Sequence, residues 1–359
     1  MKAGDIDNLA KLINGERRLY EDEALILFDA PLHVIGFAAN KIRGRLNNPE
    51  EATYLIDRNI NYTNICRVRC AFCAFSRDEG NPDAYVLSFD ELDDKLDETV
   101  AAGGSGILLQ GGCHPGLGLD YIINIFTHIK TKYPALRIHA LSPPEIVHLA
   151  HLEGLSFDKV LAELVNAGLD SLPGGGAEIL VDAIRRDISP GKCSSDEWLD
   201  VMRAAHHLGL KTTATMMFGH IESRIDRIAH LSGLRDLQDE TGGFAAFIPW
   251  TFQPGDTPLA DRVSPAGGVE YLRTLAISRI FLDNIPHIGA SWLTQGLKMA
   301  GAALHFGADD IGSVMLEENV VAAAGCANRT HEEELRRVIS AAGFAPRRRN
   351  AVYNYVDSA

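Results

Sequence analysis

Short apolar runs alternate with longer amphipathic ones along this chain at an unusually regular spacing. "INYTN" (Ile60–Asn64), "GILLQ" (Gly106–Gln110), "LRIHALS", "DSLP", "KTTATMMFG", "FAAFIPW", "HIGAS" and "DIGSV" read as eight strands. The segments between them carry apolar positions near a 3.6-residue period, among them "SFDELDDKLDETVAAGG", "SFDKVLAELVNAG", "AEILVDAIRR", "SSDEWLDVMRAAHHLG" and "GVEYLRTLAISRIFLD". Ser88 with Glu91 three residues on spells a capping box, and Gly103-Gly104 closes that helix. A helix over 330–343 and a short strand-like piece follow the eighth strand. Eight strands separated by helices predict an α/β fold, a TIM-type (β/α)8 barrel or a near-complete one. A doubly wound open sheet is the alternative topology. No Pro- or Ser-rich linker divides the chain. The expected organisation is a barrel core over 51–320, an N-terminal helical extension over 1–50, and a C-terminal helix and tail over 321–359 packed on the barrel.

A barrel of this type collects its active site at the C-terminal ends of the strands. Those positions hold Cys66, Gln110-Gly111-Gly112, Ser142, Gly174–Gly176, Met217, Trp250, Ser291 and Ser313. Glycines and polar groups at one end of every strand point to a single large site over the barrel mouth.

Charge narrows the partners. With 34 Lys and Arg against 48 Asp and Glu, the chain carries a formal charge of −14. A broad nucleic-acid surface is excluded on that balance, and the basic run Arg347-Arg348-Arg349 is expected to be a solvated face. No apolar run reaches the roughly 18 residues of a spanning helix, and the polar N-terminus lacks the apolar core of a secretory signal. The expected location is the cytoplasm, without a membrane partner, where clustered thiols bind metal more often than they form disulfides.

Three of the six cysteines, Cys66, Cys70 and Cys73, fall within eight residues. A structural zinc site needs four ligands, usually from paired motifs, and a redox dithiol needs only two sulfurs. C-x3-C-x2-C instead supplies three thiolates from one loop, while Cys113, Cys193 and Cys326 are dispersed. A [4Fe–4S] cube takes one ligand per iron, so three thiolates leave one iron open to a molecule that chelates through an amine and a carboxylate.

The cysteine spacing, with aromatic Phe72 before the last cysteine, resembles the radical S-adenosylmethionine (SAM) superfamily. That resemblance implies a [4Fe–4S] cluster with one open iron, SAM bound to it, and an external one-electron reductant of the flavodoxin or ferredoxin type. It also implies SAM contacts from Phe72, from the Gln110-Gly111-Gly112 turn, from Ser142 and from Met217. Cys113 stands where the superfamily often has Glu. Glu178 and Arg185 share a face of the predicted helix after the fourth strand, and the resemblance implies that they orient the SAM ribose and carboxylate.

Longer stretches are similar to a narrower group. "RNINYTNIC", "CAFCAFSR", "SPPEI", "SLPGGGAEIL", "FIPWTFQP" and "GSVMLEENVVAAAG" resemble the cyclic dehypoxanthinyl futalosine synthase family of menaquinone biosynthesis. The likeness spans roughly residues 15–355. It implies abstraction of the C4′ hydrogen of a nucleoside-benzoate substrate by a 5′-deoxyadenosyl radical, then attack of the carbon radical on the benzoate ring. Tyr62, Trp250 and Gln253 are candidates for lining that substrate. Arg77, Gln295 and Asn319 are candidates for its carboxylate, His114 and His220 for the departing proton, and Glu318 for the site wall. Aminofutalosine synthase, the radical subunit of deazaflavin synthase, and a non-catalytic iron–sulfur or zinc protein are the competing identities.

Overall fold

In the computed structural model, which describes residues 3–356, most residues of the barrel strands are buried. The first two and last three residues, the outermost ends of the two predicted extensions, lie outside the described residues. The strands are β1 (Glu51–Leu55), β2 (Asp57–Asn61), β3 (Gly106–Gln110), β4 (Arg137–Ala140), β5 (Ser171–Leu172), β6 (Lys211–Phe218), β7 (Phe244–Thr251), β8 (His287–Ile288), β9 (Asp310–Ser313) and β10 (Ala345–Arg348). Burial on both faces explains runs such as "TATMMF", because helices cover one face and the barrel interior the other.

Seven parallel strands, β2 through β8 in chain order, curl into one sheet. Ala290 N–H donates to Asp310 O at 2.8 Å and Asp309 N–H to Ile288 O at 3.1 Å, joining β8 to β9. Val314 N–H then donates to Leu55 O at 3.0 Å and Leu316 N–H to Asp57 O at 3.1 Å, joining the β9 end to the first strand. Backbone hydrogen bonds thus run around a TIM-type ring, with β1 and β2 as two halves of one bent strand. β10 adds to the outer side of β1, pairing Glu51–Tyr54 with Ala345–Arg348.

Local signals set the covering helices. Ser88, Ser194 and Ser223 each cap a helix by accepting the N–H three residues on, with Glu91, Glu197 and Asp226 closing the box. Helix Leu32–Leu46 of the N-terminal extension packs on helix Gly268–Phe281. It is pinned there by the buried Arg43, whose guanidinium donates to Ala308 O at 2.9 Å and Pro49 O at 3.1 Å.

Three expectations need correction. The first core strand ends at Asn61 rather than Asn64, because Thr63 Oγ1 donates to Tyr85 O at 2.6 Å and Asn64 Nδ2 to Asp83 O at 2.8 Å, turning the chain out of the sheet. The helix read from "AEILVDAIRR" begins only at Asp182. Ahead of it Glu178 adopts φ +41°, its carbonyl accepts Met217 N–H at 3.0 Å, and Leu180 N–H donates to His230 Nδ1 at 3.0 Å. The basic run is no solvated face. Arg349 is buried against Asp310 with Nε–Oδ2 at 2.6 Å and Nη2–Oδ1 at 2.8 Å, Arg348 donates to Gly103 O, and Arg347 pairs with Glu51 at 3.1 Å.

Candidate active site

The cysteine loop leaves the end of β2 and is tied down on every side. Cys66 N–H donates to Arg77 O at 3.1 Å, Arg67 N–H to Cys113 O at 3.1 Å, and Ala71 N–H to Ile188 O at 2.7 Å. Cys66, Cys70 and Cys73 line one cavity of about 270 Å³. Among the described residues no three His, Cys, Asp or Glu side chains converge as they would around a single metal ion. Three thiols lining one cavity match the donor set of a cube that leaves one iron open.

The surroundings act unequally on the thiols. The Cys113 thiol, followed by backbone N–H groups, holds the Cys66 thiol down at about 5, and Cys113 N–H lies 3.4 Å from Cys66 Sγ. Burial pushes the Cys70 thiol up to about 12, against the nearby ammonium of Lys192. Burial pulls the Lys192 pKa down, but the Glu178 carboxylate, joined by Cys70 once that thiol is ionised, outweighs it and keeps the lysine charged. Lys192 lies 3.0 Å from Glu178 Oε1 and 4.9 Å from the centre of the Phe72 ring. This buried cation beside the thiols escaped the sequence reading; its only signal was a lone polar residue in "SPGKC".

The Gly-Gly turn after β3 is fixed by a carboxylate that the sequence reading also left unassigned. Glu145 Oε1 accepts Gly111 N–H at 3.0 Å and the Tyr62 hydroxyl at 2.9 Å, and Oε2 accepts the Ser142 hydroxyl at 2.6 Å. A side chain at Gly111 would collide with the Tyr62 ring at 2.5 Å, and one at Gly112 with Ile65 O at 2.2 Å. Burial pushes the Glu145 carboxyl up to about 7, against the pull of its three donors. A carboxyl raised in the folded state favours folding fully below its unfolded value of 4.5, and that contribution is lost as pH rises through about 7. Above pH 7 the donors serve a charged acceptor. Tyr62→Phe is therefore expected to cost about 2 kcal/mol at pH 8 and less at pH 5, measured by urea unfolding at both.

The barrel interior holds a second cavity of about 350 Å³, walled by Asn59, Leu108, His139, Thr213, Thr215, Ile248 and Ser291 and floored by Asp310, Arg349 and Tyr353. Gln110, Gly175, Gly176, Glu178, Trp250, Val320 and Val321 line both cavities, so the cysteine pocket and the lumen adjoin along a shared wall.

The sequence-derived candidates divide sharply. Phe72, Gln110, Gly111, Gly112, Ser142, Glu178, Met217, Trp250 and Gln253 line the cysteine cavity, and Glu318 the lumen, where its carboxylate also accepts the N–H groups of Val320, Val321 and Ala322. Arg185 shares no helical face with Glu178: it is buried, donating to Ala177 O at 2.6 Å and Cys193 O at 2.7 Å, and so props the Gly174–Gly176 loop. Arg77 wraps its own loop, bonding Ala74, Phe75 and Ser76 carbonyls. His114, His220, Gln295, Asn319 and Tyr62 are absent from both cavity walls. His220 bonds Met217 O at 3.1 Å, Gln295 bonds Thr251 at 2.6 Å, and Asn319 bonds Glu317 at 2.8 Å.

A parallel barrel with three loop thiols facing a pocket at its strand ends, adjoining the lumen, is the architecture of a radical SAM enzyme. Residues 60–232 match the radical SAM superfamily, and residues 241–359 the CofH/MqnC C-terminal region. The fold is similar to that of methylornithine synthase (PylB), with a TM-score of 0.73 at 19% identity, over 94% of this chain and 96% of that one. Cyclic dehypoxanthine futalosine synthase of Streptomyces coelicolor is 44% identical, over 94% of this chain and 86% of the relative. That of Halalkalibacterium halodurans is 40% identical over 97% and 94%. The 5-amino-6-(D-ribitylamino)uracil–L-tyrosine 4-hydroxyphenyl transferase of Methanopyrus kandleri is 40% identical over 86% and 85%. The chain belongs to the cyclic dehypoxanthine futalosine synthase family of radical SAM enzymes.

Proposed function

We propose that the protein cyclises dehypoxanthine futalosine to cyclic dehypoxanthinyl futalosine, on the futalosine route to menaquinone. The observation that carries this is the adjacency of the two cavities: a pocket walled by three thiols shares seven lining residues with a largely apolar lumen of about 350 Å³ that carries a few polar groups. A nucleoside-benzoate molecule fits that lumen with its sugar at the junction. Family membership implies a [4Fe–4S] cluster and SAM. Cys66, Cys70 and Cys73 would hold the cluster, which when bound supplies the electron that splits SAM to a 5′-deoxyadenosyl radical.

The chain's own groups do the holding. Lys192 offsets the negative charge gathered among the thiols. The Gln110–Gly112 turn, stiffened by Glu145, offers backbone groups to the SAM amine, with Ser142, Phe72, Met217 and Glu178 as further contacts. Trp250 at the junction and Gln253 in the cysteine pocket wall the aromatic part of the substrate. Enclosure matters because a carbon radical must meet its target before solvent does. The reductant is a flavodoxin or ferredoxin type carrier, and the location is cytoplasmic; no helix among the described residues is long and apolar enough to cross a membrane. The working division is a core over 51–320 between the two extensions.

Reduced enzyme given SAM and dehypoxanthine futalosine is expected to yield a product lighter by two hydrogens, one from C4′ and one from the ring. Mass spectrometry checks it, and absence of that product refutes the proposal. Because a 40% identical relative bears the name of a hydroxyphenyl transferase, tyrosine with 5-amino-6-(D-ribitylamino)uracil belongs in a parallel incubation. Condensation there, without cyclisation of the futalosine, assigns the transferase reaction instead.

A further inference from the structure

Two polar side chains stand on the lumen wall, and one of them carries a buried atom without a partner. Asn59 on β2 pairs in register with Leu108 on β3, and Leu108 with His139 on β4, so the three stand at one level of the barrel. All three line the lumen. The Asn59 side chain is buried, the residue 6% exposed, and its amide oxygen has no hydrogen-bond partner. Native interiors rarely tolerate this, because a desolvated amide left unpaired is costly. His139 bonds the Ser171 hydroxyl through Nδ1 at 2.7 Å and makes no other side-chain hydrogen bond among the described residues. Burial, then the charge of Arg349, pushes its pKa down to about 4, so the ring is neutral at physiological pH.

The charges around this pair select among ligand chemistries. Asp57, Asp310, Glu178 and Glu318 line the same cavity, and its one lining cation, Arg349, is held by both oxygens of Asp310. A carboxylate lowered to this level would meet acids and a neutral imidazole. A hydroxyl suits the site, since it donates to the orphaned amide oxygen and accepts from an amide or imidazole N–H. We infer that Asn59 and His139 form the subsite for the sugar hydroxyls of the substrate, turning those hydroxyls inward while C4′ stays at the junction with the cysteine pocket and the carboxylated ring lies toward the mouth. This assignment rests on the cyclase reading above and adds orientation to it.

The test is equilibrium binding to the cluster-loaded enzyme without reductant. The probes are dehypoxanthine futalosine, analogues lacking single sugar hydroxyls, and the methyl ester of the benzoate. One hydroxyl deletion is expected to weaken binding to the native protein about tenfold. Asn59→Leu and His139→Leu should weaken the parent by a similar factor and abolish discrimination against that deoxy analogue. The ester's effect should be the same in the variants as in the native protein. Unchanged SAM affinity confirms that a variant is folded, and the native protein's ranking of the analogues stands even if one variant is not. The subsite is overturned if no hydroxyl deletion weakens binding, or if the variants alter discrimination against the ester instead. Cyclised product from the native protein alongside either of those results leaves the cyclase reading intact; failure to bind the parent at all removes both.

Discussion

Cys70→Ala is expected to abolish SAM cleavage and the visible absorbance of a reconstituted iron–sulfur cluster. The argument is one of ligand count and charge. Three thiols face the pocket, and losing one leaves a cube with two protein ligands. Once ionised, the deleted sulfur also joins Glu178 in offsetting the charge of Lys192. Cys326→Ala is the matched control, since its thiol is half-buried, lies 2.8 Å from Leu293 O, and lines neither cavity. Anaerobic reconstitution followed by absorbance and 5′-deoxyadenosine measurement checks both. A Cys70→Ala protein that retains the cluster, or a Cys326→Ala protein that loses it, contradicts the assignment.

Arg349→Met should cost about 4 kcal/mol at neutral pH, because breaking a buried ion pair strands its partner. Burial would raise the Asp310 carboxyl, but Arg349 and the donors Thr53 and Gly312 overcome that and hold it below 3.8. A depressed carboxyl stabilises the fold above its unfolded value, and that contribution is lost as pH falls through the lower folded value. Removing Arg349 reverses the balance, leaving Asp310 in the condition of Asp57, which burial pushes up to about 6. The deficit is therefore expected to be largest above pH 6 and to shrink in acid. Arg349→Met with Asp310→Asn should recover most of it, because the amide is uncharged and still accepts from Thr53 or Gly312. Urea unfolding across pH reads out both variants, and a pH-independent deficit contradicts the ion-pair account.

What was legible in advance follows from the range of the interactions involved. The strands of the ring, the serine-capped helices and the cysteine motif rest on contacts a few residues apart, so periodicity and spacing carry them. "AEILVDAIRR" misled because its local pattern is helical, whereas the Glu178 carbonyl is claimed by Met217 and Leu180 N–H by His230, 50 residues away in sequence. Arg347–Arg349 misled for the same reason: a basic run gives no sign that a buried aspartate 39 residues earlier receives its last member. Tyr62 was visible as a residue beside the motif, but its contact with Glu145 spans 83 positions.

The sequence by itself determined the three-cysteine motif, the alternation of strands and helices, and the family, because each is written in neighbouring residues or in matches along the chain. Only the tertiary structure decided that Lys192 lies beside the thiols, that Glu145 stiffens the Gly-Gly turn, and that Asn59 and His139 face each other's level of the lumen. Those relations join separate strands and loops, and burial removes the water that would otherwise satisfy or screen each group. Closure of the ring is what turns isolated polar residues into a site.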